Sequence, residues 1–71
     1  MYFRRFKDIR EDTDHTQEEI AQVINTHRVY YNRIENGAHP ITLERALLIA
    51  DFYGVSLDYL TGRTEKKEIN R

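Results

Sequence analysis

Residues 19–37 run EIAQVINTHRVYYNRIENG and contain two helix-like segments with almost nothing between them. Apolar residues up to Ile24 follow a helical spacing, and Tyr31 and Ile34 resume that spacing after a break at Asn25. Asparagine is one of the few non-glycine residues that tolerate a left-handed backbone, which a tight turn between helices requires. The stretch therefore predicts two helices joined by a sharp turn.

The sequence before this turn predicts one more helix and a well-defined start for the second. Tyr2, Phe6 and Ile9 share one side of a first amphipathic helix. Thr16 and Glu19 have the spacing of a capping box, in which each residue's side chain accepts a hydrogen bond from the other's backbone N–H. No strand pattern competes with these helices.

The C-terminal half contains the last two predicted helices, which makes five in all. Thr42 caps a fourth helix, and Gly54 ends it. Ser56 caps a short fifth helix, which Gly62 closes. The apolar residues of the fourth helix at 3–4 spacing are Leu43, Ala46, Leu47 and Ala50.

Size and composition restrict the possible classes of protein. The 71 residues suit one small domain, predicted over residues 1–62, followed by a charged tail over residues 63–71 that is expected to be flexible. The absence of cysteine excludes a disulfide framework and a thiolate metal site. No apolar run approaches the roughly 20 residues that span a bilayer, and the basic start lacks the apolar stretch of a signal peptide. We therefore expect a cytoplasmic protein without membrane contact.

Charge is unevenly distributed along the chain, although the formal total is only −1. Rotating the third helix by about 100° per residue places Tyr31 and Ile34 on one side. The opposite side carries no carboxylate, because Glu35 falls on the flank toward the core. This outer side consists of Arg28, Val29, Asn32, Arg33 and Asn36. An acid-free helix presented by a sharp turn suits entry into the major groove of DNA.

Simpler roles exist for some of these residues. Surface arginines are usually only solvated, but the turn and the acid-free side favour DNA contact by Arg28 and Arg33. Val29 is either an incidental exposed apolar residue or a contact for a thymine methyl group. Tyr31 is expected in the core, and Tyr30 is expected to pack with its hydroxyl in reach of a phosphate.

Three segments resemble one protein family. TQEEIAQVINTHRVYYNRIENG resembles the helix-turn-helix of the phage-repressor (Cro/CI, or XRE) family of bacterial transcription regulators. RFKDIREDTDHTQ is similar to that family's first helix and LERALLIADFYGVSLDYLTG to its last two, so the resemblance covers about residues 2–62. It implies an all-α, compact five-helix, lambda-repressor-like DNA-binding domain in which helices two and three form the motif. The implied function is sequence-specific binding of double-stranded DNA by a transcriptional regulator, with repression as the expected output.

The resemblance also implies roles for matching positions. Gln17, beside Thr16 at the start of helix two, would hold a DNA phosphate. Asn36 and the loop after it match a second clamp on the DNA backbone. With the outward Asn32 added, the expected groove contacts of a recognition helix over about 27–36 are His27, Arg28, Val29, Asn32 and Arg33.

Some positions concern the internal structure of the domain. Arg10 and Glu35 match a pair that ties helix one to the end of the recognition helix. His27 stands where Ser or Thr usually caps that helix, and because His caps poorly we expect the cap from Thr26. His15 replaces a usual leucine, so that corner of the core is expected to be looser or pH-sensitive.

No cofactor, metal ion or catalytic activity is predicted. His15, His27 and His39 lack the short spacing of zinc ligands on helices. There is no nucleophile elbow and no glycine-rich phosphate loop. A domain of this size also has little room for a substrate pocket.

Assembly and partners follow from how little DNA one recognition helix contacts. Two chains are expected to pair as a homodimer on two-fold related operator half-sites of double-stranded DNA. In the absence of DNA the chain is expected to be largely monomeric. Phe52 and Tyr59 in the C-terminal part are the expected exposed dimer contacts. A different class of function stays open, because the near-neutral charge also permits a protein-interaction module, such as an antitoxin or adaptor, on the same fold.

Overall fold

The computed structural model of the chain describes residues 3–66. The described part contains five α-helices and no strand, which confirms the predicted all-α class. The helices are α1 Arg4–Asp12, α2 Gln17–Val23, α3 Arg28–Glu35, α4 Leu43–Tyr53 and α5 Leu57–Leu60. None of the helices within residues 3–66 is long and apolar enough to cross a membrane.

Local capping chemistry fixes where most of these helices begin. At the start of α2, the Glu19 N–H donates to Thr16 Oγ1 at 3.1 Å, and the Thr16 N–H donates to Glu19 Oε1 at 2.9 Å. The second of these hydrogen bonds lowers the pKa of the Glu19 carboxyl group. Thr42 and Ser56 cap α4 and α5 in the predicted way. Gly54 ends α4 with a left-handed φ of 70°, a conformation that glycine adopts without strain.

The core lies between the five helices, each of which contributes at least one buried apolar side chain. Helix α2 packs against both α3 and α4, while α1 packs against α3 and α5. The buried apolar residues are Phe6, Ile9, Ile20, Ala21, Ile24, Tyr31, Ile34, Ala46, Ile49, Ala50, Val55 and Leu60. Tyr2 and Ile69 lie outside the described residues, as does the end of the predicted tail.

The buried side of α4 differs from the side that the 3–4 spacing indicates. Ala46 and Ala50 are buried, but Leu43 is 66% exposed and Leu47 is 45% exposed. Ile49 takes their place in the core with 0% exposure. The contacts of α4 with α2 and α5 bury Ala46, Ile49 and Ala50 and leave the two leucines outside. The result is an apolar outer surface on α4.

Candidate nucleic-acid interface

The turn between α2 and α3 presents α3 at the surface. Asn25 adopts the predicted left-handed conformation, with φ of 58°. Its N–H donates to Gln22 O at 3.1 Å, and the next N–H, from Thr26, donates to Ala21 O at 2.9 Å. These bonds satisfy the carbonyl groups at the end of α2 and reverse the chain within a few residues. Buried Tyr31 then anchors α3 to the core.

The cap of α3 differs from the prediction. The N-cap residue is His27, and its Nδ1 accepts a hydrogen bond from the Tyr30 N–H at 3.4 Å. The expectation that Thr26 supplies the cap is wrong, because Thr26 still belongs to the turn that closes α2. An imidazole nitrogen can accept this bond only while it carries no proton. The cap therefore requires His27 with an unprotonated Nδ1.

The outer side of α3, as defined above, is exposed and carries no carboxylate. Arg28, Arg33 and Asn36 are exposed, Val29 is 52% exposed and Asn32 is partly buried. Glu35 is the one acid of α3, and it is 1% exposed. The fold therefore leaves hydrogen-bond donors and one apolar group on this side of the helix.

Ion pairing divides the arginines of the described chain into two sets. Four of them lie within 4.0 Å of a carboxylate oxygen: Arg4, Arg5, Arg10 and Arg63, paired with Asp8, Glu65, Glu35 and Asp58. Within residues 3–66, the arginines without such a partner are Arg28, Arg33 and Arg45. All three belong to α3 or to the first turn of α4. Their positive charges are left available for an anionic ligand.

A buried ion pair joins α1 to the end of α3. Arg10 Nε donates to Glu35 Oε2 at 2.7 Å, and Arg10 Nη2 donates to Glu35 Oε1 at 3.2 Å. Arg10 Nη1 also donates to His15 O at 3.0 Å, which fixes the turn before α2. The hydrogen bonds with Glu35 raise the pKa of Arg10 above its usual value, so the guanidinium stays charged. Arg10 and Glu35, which match a family pair in sequence, therefore meet in three dimensions.

The same carboxylate orients the amide side chains at the start of α2 and on α3. Gln17 Nε2 donates to Glu35 Oε1 at 3.2 Å, and Asn32 Nδ2 donates to Gln17 Oε1 at 3.3 Å. Asn36 Nδ2 in turn donates to Asn32 Oδ1 at 3.0 Å. A carboxylate can only accept hydrogen bonds, so the Gln17 amide must turn its NH₂ group toward Glu35. Its oxygen then faces Asn32, and the same order continues to Asn36. Gln17 keeps one N–H in this arrangement for a ligand.

The helix-turn-helix family matches residues 6–60 of the chain. The chain belongs to that family. Its DNA-binding members place the second helix of the motif in a groove of DNA. The match confirms the predicted family and fold, and it supports a DNA-binding domain that is not an enzyme. Within residues 3–66 no group of three or more His, Cys, Asp or Glu side chains could hold a metal ion.

Two relatives illustrate where this helix-turn-helix domain occurs. The chain is 29% identical over 65 residues to the uncharacterized HTH-type transcriptional regulator YobD of Bacillus subtilis, covering 92% of this chain and 58% of that protein. It is 36% identical over 58 residues to the control protein C.MunI of a Mycoplasma species, covering 82% of this chain and 78% of that protein. No solved structure matches the chain.

The remaining predicted contacts of the helix-turn-helix lie around its edges. Thr16 is exposed, but its hydroxyl oxygen already accepts the capping bond from Glu19. Tyr30 is partly buried, with His27, His39 and Arg45 around its ring. Arg45 is missing from the sequence prediction. In the sequence Arg45 follows Glu44 and looks like one of two ordinary surface charges. Only the packing of α4 on the helix-turn-helix brings Arg45 next to α3.

The two predicted dimer contacts do not form one patch. The guanidinium of Arg5, in α1, lies 4.3 Å from the Tyr59 ring centre, and Tyr59 is half-buried rather than exposed. Phe52 is 45% exposed, and its ring lies 5.1 Å from that of His15, beyond the other end of α1. His15 thus fills the corner where leucine was the usual residue through an edge-to-face contact with Phe52 and a tilted contact with Tyr53. Arg5 Nη1 also donates to Tyr59 O and to Thr64 O, which ties the first residues of the predicted tail to α1.

Two buried tyrosine hydroxyl groups make the stability of this domain depend on pH in the alkaline range. Neither Tyr31 nor Tyr53 has a hydrogen-bond partner for its hydroxyl within residues 3–66. Burial raises the pKa of Tyr53 to about 12 and that of Tyr31 further. Tyrosine in the unfolded chain loses its proton near pH 10. The two protonated tyrosines therefore contribute their full share to the stability of the fold below pH 10, and this share is lost as the pH rises through their pKa values in the folded protein.

We therefore expect Tyr53→Phe to flatten the alkaline loss of stability. Between pH 10 and 12, chemical unfolding should show the free energy of unfolding falling by roughly 1 kcal/mol less in Tyr53→Phe than in the wild type. Tyr30→Phe, which removes a hydroxyl from a ring in a more open position, is the control. Equal slopes for Tyr53→Phe and the wild type would contradict the buried environment of this hydroxyl.

Proposed function

We propose that this helix-turn-helix domain binds double-stranded DNA in a sequence-specific manner, with α3 in the major groove, and that it regulates transcription. The observation that carries the proposal is the set of arginines on α3 and α4 that have no acidic partner within residues 3–66, beside a helix whose single carboxylate is buried. A DNA backbone is the polyanion that such a surface attracts. Occupation of an operator blocks access to it, so repression is the proposed output.

The printed names of the relatives support a regulatory role. One is called a transcriptional regulator and the other a control protein. The chain spans 58% of the length of the first, so the role of the whole protein is part of the proposal. The proposed place of action is the cytoplasm, where bacterial DNA is found.

Residue roles within the proposed complex follow from geometry. Arg28 and Arg33 have the fork that matches guanine or grips a phosphate, and Val29 offers an apolar contact for a thymine methyl group. His27 and Asn32 complete the proposed groove contacts. The proposed phosphate contacts are Gln17, Thr16, Tyr30 and Asn36.

We propose pairing of two chains through the C-terminal half, which leaves α3 free for DNA. Leu47 and Leu57 line a groove of about 240 Å³ between α4 and α5, and exposed Leu43 lies one turn before Leu47. Phe52 remains a second candidate surface, on the side of α4 that contacts His15. Both surfaces are small, so we expect pairing mainly on DNA.

Selection from random double-stranded oligonucleotides with the purified chain at moderate salt tests the proposed function. We expect enrichment of a two-fold related sequence motif. Failure to enrich any motif, with a folded protein, would overturn the proposal. It would favour instead the protein-interaction role that the sequence leaves open.

A pair of substitutions then separates base contacts from phosphate contacts. Arg28→Ala should weaken binding to the selected site by about 1–3 kcal/mol and relax the preference at one base position. Gln17→Ala should weaken binding to all sequences similarly, because a phosphate contact carries no sequence information. Gel-shift titrations against the selected site and a shuffled duplex measure both effects.

Arg63→Ala is the matched control, because Arg63 is exposed, follows α5 and pairs with Asp58 of that helix rather than lying on α3. It should leave affinity and preference unchanged. Unfolding curves verify that Gln17→Ala stays folded after losing its bond to Glu35. If Arg28→Ala and Gln17→Ala both bind as the wild type does, the proposed docking of α3 is wrong.

A further inference from the structure

A cluster of side chains joins the first turn of α3 to the loop after α3 and to the first turn of α4. The rings of Tyr30 and His39 stack with centres 5.3 Å apart and planes inclined by 27°. The guanidinium carbon of Arg45 lies 5.2 Å from the Tyr30 ring centre. The loop that carries His39 folds back onto α3, where the His39 N–H donates to Arg33 O at 3.3 Å. One phenol therefore holds an imidazole and a guanidinium next to the recognition helix.

The charges around this cluster are positive. From α3 it is faced by His27, whose ring centre is 6.4 Å from that of Tyr30. From α4 it is faced by Arg45, and Glu44 beside it in sequence makes no ion pair within residues 3–66. The nearest acid on α3, Glu35, is committed to Arg10. Nothing in the described chain neutralises the cluster, although three cationic or protonatable groups converge on it.

We propose that His39 and Arg45, held by Tyr30, form a binding site for a DNA backbone phosphate, and that His39 couples DNA affinity to pH. This inference rests on the proposed DNA binding, in which the loop after Asn36 already matches a clamp on the DNA backbone. It adds Arg45 to that clamp and assigns to His39 a proton that is taken up on binding. Arg45 contributes a permanent charge, whereas His39 contributes its charge only after taking up a proton.

The coupling follows from the chemistry of the imidazole. A histidine side chain takes up a proton between pH 5 and 8, and a phosphate oxygen in hydrogen-bond reach favours the charged form. The aromatic ring of Tyr30 also attracts the charged form through its negative face. DNA binding therefore takes up a proton at His39, and lowering the pH strengthens binding.

His27 acts in the opposite direction and has to be separated from His39. Protonation of its Nδ1 would remove the hydrogen bond that caps α3. His27→Asn keeps a side chain that caps well and does not titrate. His15, the third histidine, lies against Phe52 and Glu19 at a different corner of the domain. His15→Gln removes its titration.

Fluorescence anisotropy with the selected duplex, at pH 8.0 and pH 6.0 and constant ionic strength, tests the inference. We expect the wild type to bind roughly 3- to 10-fold more tightly at pH 6.0 than at pH 8.0. The slope of log K against log salt concentration should also be steeper by about 0.9 at pH 6.0, because one more phosphate charge is neutralised. His39→Gln should abolish both differences. His15→Gln should keep both differences, and His27→Asn should keep the salt difference and keep or enlarge the affinity difference.

Arg45→Ala should weaken binding at both pH values by roughly 3- to 10-fold for all sequences, and Arg63→Ala should not. NMR titration of the wild-type histidine ring signals adds a measurement that needs no variant. The His39 signal should titrate at higher pH in the DNA complex than in the free protein.

An unchanged His39 titration on DNA, or a pH dependence that His39→Gln retains, would overturn the proton coupling. Wild-type affinity in Arg45→Ala would overturn the phosphate site. Absence of DNA binding by the wild type at either pH would instead contradict the proposed function, so the two failures are distinguishable.

Discussion

Replacing Arg10 with methionine is expected to lower the free energy of unfolding by about 3–5 kcal/mol, because the substitution leaves the Glu35 carboxylate charged and unpaired in the core. The Glu35 side chain is 1% exposed and that of Arg10 is 13% exposed, so water cannot replace the lost partner. Gln17 remains as a hydrogen-bond donor to the carboxylate. Chemical unfolding at neutral pH measures the loss.

The double variant distinguishes a paired charge from two independent residues. Arg10→Met combined with Glu35→Leu removes both charges, so its cost should be well below the sum of the two single costs. Arg4→Met is the control, because Arg4 is 80% exposed in its contact with Asp8 and should lose little. Strictly additive losses would mean that Arg10 and Glu35 do not interact.

Inserting 5 bp, about half a helical turn, between the operator half-sites is expected to weaken binding by roughly 100-fold or more. The insertion turns the second half-site to the far side of the duplex, so two paired chains cannot both place α3 in the groove. A site of unchanged spacing with altered central base pairs is the control. Gel shifts over a protein titration measure the affinity and its steepness, and equal binding to the lengthened site would refute pairing.

The pairing surface can be assigned by comparing Leu47→Asp with Phe52→Asp. Both side chains are 45% exposed, so both substitutions should be tolerated by the fold. If the groove between α4 and α5 is the interface, Leu47→Asp should reduce cooperativity on the two-half-site operator more than affinity for a single half-site. Phe52→Asp should then have little effect, and the reverse result would assign pairing to the Phe52 side.

Much of the fold could be predicted because its signals are local. The capping box of Thr16 and Glu19 and the left-handed turn at Asn25 each depend on a few neighbouring residues. Thr42 and Ser56 likewise cap helices through N–H groups three residues ahead. Such features give the same result wherever the segment is placed, so inspection of the sequence suffices.

Other features were predicted wrongly, or could not be predicted, because they depend on how the helices pack. The 3–4 spacing on α4 is compatible with more than one rotation of the helix, and contacts with α2 and α5 selected the one that exposes Leu43 and Leu47. Propensity alone favoured Thr26 as the cap of α3, yet the turn that closes α2 uses Thr26 and leaves the cap to His27.

The sequence by itself thus determined five helices, most of their boundaries and the acid-free outer side of α3, since these follow from contacts within a few residues. Only the tertiary structure decided which charges are neutralised. Arg10 finds Glu35 across 25 positions of the chain, while Arg28, Arg33 and Arg45 find no acid within residues 3–66. Ion pairs and ring stacking between helices depend on the distances between side chains in space. Those distances are fixed only when the core has packed.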